Sequence, residues 1–138
     1  MTKLVVDASA AASWLLASQA TPSAMDLLDR IETFELTAPH VFQWEIGNLL
    51  VRQTRREPDF DLSGAFAVLD SFKIVSAPPV GREGVQALAH IAASRGLSLF
   101  DAGYLWLAME QDAAVVSRDG ELLAAATAAG LPVFDLRG

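Results

Sequence analysis

The chain has 138 residues, 52% of them apolar and 20% charged, enough for one domain around a single core and too apolar for a disordered tail. It has no cysteine and only two widely separated histidines, His40 and His90; disulfide frameworks and thiolate metal sites are excluded, and any metal must be held by oxygen. A net charge of −7 argues against a nucleic-acid partner, whose phosphates want a basic footprint, and fits a basic protein partner, bound cations or plain solubility.

"LVVDA", Leu4 to Ala8, reads as a buried strand ending at Asp7. An acid inside this first apolar run is what a signal-peptide core avoids, and no run of 18 apolar residues occurs, so a soluble, cytoplasmic chain with no membrane partner is expected. Helical patterns follow at "SAAASWLLA" and "TPSAMDLLDRI", where Thr21 stands as N-cap and Pro22 at the first helical position. "FELTAP" is a second strand and His40 to Arg56 a long helix. Asp61 caps a helix through Phe72, and "KIVSA" is a third, short strand. Arg82 to Arg95 is helical and stops at Gly96.

Ser98-x-x-Asp101 has the form of a capping box and opens a helix, Phe100 to Met109, that is apolar all round and so is expected to be buried. "AAVVS", Ala113 to Ser117, is a fourth strand, Gly120 to Ala129 a helix ended by Gly130, and "PVFDL" a fifth strand. Short, continuous, β-branched strands separated by helices predict a single three-layer α/β/α domain, spanning residues 1–138, with a mainly parallel five-stranded sheet.

Sites in such sheets lie beyond the carboxyl ends of the strands. Asp7 ends the first strand, Asp119 follows the fourth, and Asp101 opens the helix that leads into the fourth. Glu45 joins them from the long helix, with Val41, Phe42 and Leu49 as its neighbours one turn away. Each acid has a structural alternative: Asp7 and Asp119 as N-caps, Asp101 as a first-turn acid favoured by the helix dipole, and Glu45 on a solvent edge. One shared cause is simpler than four coincidences. Carboxylates brought together repel, raising at least one pKa, unless a divalent cation neutralises them. An all-oxygen donor set selects Mg²⁺ or Mn²⁺, and such ions suit the hydrolysis of a phosphodiester.

The stretches "LVVDAS", "APHVFQWEIGNLLVRQTRR", "LSLFDAGYLWLAME" and "VVSRDGELLAAA" occur in this order over nearly the whole chain. Together they resemble the PIN-domain ribonucleases, and among them the VapC toxins of bacterial toxin–antitoxin pairs. The resemblance implies a Mg²⁺-dependent endoribonuclease toxin whose acids are Asp7, Glu45, Asp101 and Asp119, with Asp7 and Asp101 as direct metal ligands. It implies support from Ser9, Asn48 and Ser117, a cognate antitoxin that places a basic side chain in the cleft, and a homodimer.

The basic residues placed to meet RNA backbone are Arg52, Arg55, Arg56 and Arg118, although cations at a helix end are also expected from the dipole alone. Trp14, Trp44 and Trp106 lie in apolar helical segments, where core packing or a subunit contact is expected ahead of base stacking.

Three other readings compete. A phosphoacceptor signalling domain needs an Asp after the third strand and a Lys after the fifth; "KIVSAPP" has no Asp, and the only lysines are Lys3 and Lys73. A catalytically silent PIN scaffold is disfavoured by the presence of all four acids. A nuclease acting on another nucleic acid shares the same site chemistry.

Overall fold

A computed structural model describes all residues, Met1–Gly138. Five strands form one wholly parallel sheet in the order β3-β2-β1-β4-β5. They are β1 (Thr2–Val6), β2 (Phe34–Ala38), β3 (Val75–Ser76), β4 (Ala114–Ser117) and β5 (Val133–Asp135). The helices are α1 (Ala8–Leu15), α2 (Pro22–Asp29), α3 (Val41–Arg56), α4 (Leu62–Ser71), α5 (Gly81–Arg95), α6 (Leu99–Gln111) and α7 (Gly120–Ala128), with short 3₁₀ turns at Ala17–Gln19 and Ile31–Thr33.

Right-handed crossovers lay α1 to α4 on one face of the sheet and α5 to α7 on the other. The chain steps from β1 outward to β3, then crosses back to place β4 on the far side of β1. The order therefore reverses between β1 and β4, and a crevice opens beyond their carboxyl ends.

The core follows from the apolar runs. Leu4, Val5, Val6, Val115 and Val116 are fully buried in the two central strands, as strands covered on both faces require. Trp14 packs edge-on against Phe72, with ring centroids 5.5 Å apart. Its indole N–H donates to the Ala24 carbonyl at 3.0 Å, which satisfies the one polar atom it buries.

Two expectations about burial are corrected. α6 is core on one side only: Tyr104, Leu105, Leu107 and Ala108 are buried, whereas Leu99, Phe100, Trp106 and Met109 are exposed. A helix apolar on every side carries no periodic signal of which face is inward, and here the outward face shares an apolar groove with Pro79, Val80 and Val85. Trp44 is not a core residue either; it is 75% exposed on α3. Trp106 lies at the surface too, and only Trp14 packs in the core.

The caps are local and follow side-chain chemistry. Asp7, Thr21, Asp61, Ser98 and Asp119 each accept a backbone N–H of the helix that follows, satisfying a donor the helix leaves free. α5 ends at Gly96, which takes the left-handed conformation with φ 67°. A Cβ there would meet no atom within 4 Å, so Gly96→Ala carries only the backbone cost of that conformation. Urea unfolding should show a loss of about 1–2 kcal/mol, and an unchanged midpoint would contradict this account of how α5 stops.

Candidate active site

Asp7 stands at the crevice, immediately after β1, and is 5% exposed. Its Oδ1 accepts from the Ser9 hydroxyl at 2.7 Å and the Ala10 N–H at 2.8 Å, while Oδ2 accepts from the Ser117 hydroxyl. The two serines are themselves held. Ser9 Oγ accepts the Arg118 N–H at 2.9 Å and Ser117 Oγ the Asp119 N–H at 2.8 Å. The end of β1, the start of α1 and the β4–α7 loop are thereby tied to one carboxylate. Helix cap and site residue are compatible roles for Asp7, as they are for Asp119, whose Oδ1 accepts the Glu121 N–H at 2.9 Å.

The other acids arrive from both helical layers. Asp7, Glu45, Asp101 and Asp119 line a single cleft of about 220 Å³, with Ser9, Asn48, Arg52 and Tyr104 in its walls. Ser117 sits beneath the cleft, fully buried behind Asp7. Arg55 and Arg56 lie further along α3 and are exposed. Arg118 turns aside: its guanidinium donates to Gln19 Oε1 at 3.1 Å, and its Nε is buried without a partner. Ser98 caps α6 by accepting the Asp101 N–H at 3.0 Å. The reciprocal half of a capping box is not made, and the Asp101 carboxylate belongs to the cleft instead.

The electrostatics record the crowding. Burial and, secondarily, the charge of Asp119 push Asp7 up to about 6, against the pull of its three hydrogen bonds. Asp101 is pushed up to about 7 by burial, then by the nearby Asp119 carboxyl, then by the charges of Asp7 and Glu45. Glu45 is raised by burial and partly restored by a hydrogen bond from Tyr104. No cation offsets these charges, since the only salt bridges in the chain are Arg30–Asp26 and Arg137–Asp135.

Tyr104 is a residue of this cleft that the sequence reading did not single out. It is 1% exposed, and its hydroxyl donates to Glu45 Oε1 at 2.7 Å, joining α6 to α3 across the cleft. Burial and the Glu45 charge raise its pKa, so it stays a proton donor. The spacing Asp101-x-x-Tyr104, one helical turn, was the available signal.

The residues fit a hard divalent cation: the donors are all oxygen, and the carboxyls are left unneutralised enough to hold protons near neutrality. No three acids or histidines stand close enough together to form a ready-made cage, as mutually repelling carboxylates would not without a counter-ion.

Sheet order and acid cleft together define an α/β fold with an oxygen-only acidic site at its topological switch point. The chain belongs to the PIN domain family, whose model matches residues 4–128. A relative from Pyrobaculum aerophilum named Exonuclease VapC9 is 31% identical over 93 residues, covering 65% of this chain and 66% of that protein. The match thus spans just under two thirds of the relative's length. Among solved structures, PAE2754 from Pyrobaculum aerophilum superposes with a TM-score of 0.67 at 26% identity, covering 96% of this chain and 84% of that one. FitAcB from Neisseria gonorrhoeae superposes at 0.57 and 16% identity, covering 97% and 98%, a likeness of fold alone.

Two predictions follow from the cleft. Folded Asp101 and Asp7 keep protons up to about 7 and about 6, whereas unfolded carboxyls lose theirs near pH 4, about the ordinary value. The folded state therefore binds more protons between these limits, and the metal-free protein should lose stability as pH rises from about 4 to about 7. Thermal melts in EDTA should show wild type less stable at pH 8 than at pH 5, and Asp101→Asn at least as stable as wild type at pH 8. A mutant clearly less stable there would mean that the Asp101 charge is satisfied, not crowded. Tyr104→Phe strips the one neutral donor from a half-buried carboxylate and should cost about 0.5–1.5 kcal/mol in urea unfolding. The double mutant with Glu45→Gln should recover little of that loss, because the amide still lacks its partner.

Proposed function

We propose that the protein is a divalent-metal-dependent endoribonuclease, the toxin of a toxin–antitoxin pair, that hydrolyses RNA phosphodiester bonds. The observation that carries this reading is the gathering of Asp7, Glu45, Asp101 and Asp119 in one cleft with no paired cation. Membership of the PIN domain family supports a nuclease, and the relative named Exonuclease VapC9 supports a toxin–antitoxin setting.

Asp7 and Asp101 would hold Mg²⁺ or Mn²⁺ directly, and Glu45 and Asp119 would complete the negative pocket. When bound, the ion supplies charge neutralisation at the phosphate and lowers the pKa of the attacking water. The chain's own contribution is to fix the acids. Two serines and a backbone N–H orient Asp7, Tyr104 orients Glu45, and the α7 N-terminus orients Asp119. The Asn48 amide lies within the cleft wall, and Arg52 supplies a cation at its edge.

Partners follow from the same surfaces. An acidic cleft on a chain of net charge −7 favours a cognate antitoxin that brings a basic side chain into it. The exposed apolar face of α6, with Phe100 and Trp106 beside Val80 and Val85, suits a second copy in a homodimer. No helix is long and apolar enough to cross a membrane.

A covalently closed circular RNA provides the test. With Mg²⁺ or Mn²⁺ it should be opened to a linear product carrying a 5′-phosphate and a 3′-hydroxyl, and EDTA should abolish the reaction. Asp101→Asn should slow it by orders of magnitude, because a lost ligand misplaces phosphate and water together. Degradation of linear RNA only, from an end, would make the protein an exonuclease instead. Full activity in EDTA, or a 2′,3′-cyclic phosphate product, would remove the metal from the mechanism.

A further inference from the structure

α3 carries a second pattern on its solvent side. Trp44, Asn48, Arg52 and then Arg55 and Arg56 follow one another at intervals of three or four residues, and all are exposed. Residues so spaced lie in one line along a helix. Over twelve residues the line runs about 18 Å at about 1.5 Å per residue. Its middle members, Asn48 and Arg52, line the acid cleft. Trp44 and the same Asn48 line an adjoining shallow groove with Val51 and Phe66. Groove and cleft thus meet at Asn48 and form one continuous track.

Trp44 is 75% exposed, second among the chain's exposed large apolar side chains only to Met1. An indole left in water one turn from a cleft residue gives up a large burial energy and is available to a ligand. None of the three arginines is in a salt bridge, so their charge is uncommitted as well. A flat aromatic face followed by free cations along a track is the composition that binds single-stranded nucleic acid, with bases stacked on the ring and phosphates beside the cations.

The net charge of −7 strengthens the point. A polyanion gains little from the chain's overall field, and base stacking provides affinity that does not depend on it.

We propose that Trp44 is a base-stacking platform for single-stranded RNA. It seats a nucleobase flanking the scissile phosphate, while the arginines at the other end of the line follow the backbone. This rests on the nuclease reading above and adds to it a subsite that prefers unpaired bases. A protein segment laid over the same groove is the competing occupant; the uninterrupted run from Trp44 through the cleft to three free cations favours RNA.

The experiment is steady-state cleavage of a single-stranded RNA dodecamer with Mg²⁺, together with tryptophan fluorescence on titrating the same RNA into protein in EDTA at low salt. Trp44→Ala should raise KM about tenfold or more with kcat within about threefold, and Trp44→Phe should restore most of the loss. RNA should quench wild-type and Trp106→Phe emission, and the quenching should vanish in Trp44→Phe. Duplex RNA should show no penalty from Trp44→Ala. Normal cleavage by Trp44→Ala with unchanged KM overturns this inference alone, as does a change of sedimentation in that variant with RNA binding intact, which would mark a protein interface. A wild type that neither cleaves nor binds RNA overturns the nuclease reading and this one together.

Discussion

Asp7 sets a constraint that reaches every other part of the site. A carboxylate buried at the end of a central strand costs several kcal/mol unless hydrogen bonds replace its water. Here the replacements come from Ser9, Ala10 and Ser117. Two of them lie in the first turn of α1, two and three residues beyond Asp7, and the third ends β4, so satisfying the carboxylate dictates where α1 begins and how the β4–α7 loop leaves the sheet. That loop carries Asp119, whose own N–H closes onto Ser117. The fold and the acid constellation are therefore one solution: the parallel pairing of β1 with β4 delivers Ser117 to Asp7, and their hydrogen bond fixes Asp119.

The second feature is a balance of charge that the fold leaves open. Natural interiors pair their buried charges, yet Asp7 and Asp101 remain protonatable near neutrality because burial and neighbouring carboxylates raise them and no salt bridge offsets this. Arg52 stands in the cleft wall without forming a salt bridge. Glu45 is steadied by a phenol, not by a guanidinium. The distinction matters. A neutral donor fixes the direction of a carboxylate while leaving its charge available, whereas a salt bridge would fix it and cancel it. Stability is given up locally, and the oxygens stay oriented and unneutralised, as the proposed cation site would require.

Much of the architecture is legible in the sequence because its causes are local. Continuous β-branched runs between helical patterns give the parallel sheet, and side chains that cap their own helices, from Asp7 through Thr21, Asp61 and Ser98 to Asp119, mark where five of the seven helices begin. Strand ends then place three acids on one rim. What is not legible depends on residues far apart in the chain. Tyr104 finds Glu45 across 59 positions, and no local pattern announces that pair. The third strand, at the sheet's edge, shrinks to Val75–Ser76, and the left-handed conformation of Lys73 excludes that residue from it. α6 offers the reverse case: its composition is plain, but uniform apolarity hides which side faces the core, and so conceals Phe100 and Trp106 at the surface. The Arg118 side chain likewise leaves the cleft because Gln19, nearly a hundred positions earlier, offers an acceptor.

If the protein is a ribonuclease, as proposed, net charge is a poor guide to its substrate for a related reason. At −7 the chain should repel RNA, but exposed charges act over about 8 Å at physiological salt, so placement outweighs the sum. Lys3 and Lys73 border a separate cavity at the amino ends of the strands, opposite the acid cleft, and contribute nothing to the field there. Arg52, Arg55 and Arg56 are instead gathered on the last two turns of α3, where the helix dipole also favours them. A strand of RNA approaching α3 would meet cations and an indole before it met carboxylates. The acids become attractive to phosphate only with a divalent ion between them. On the proposed nuclease reading, approach and reaction would depend on different charges: fixed arginines along one helix would guide the backbone, and an exchangeable cation would decide whether the cleft admits it.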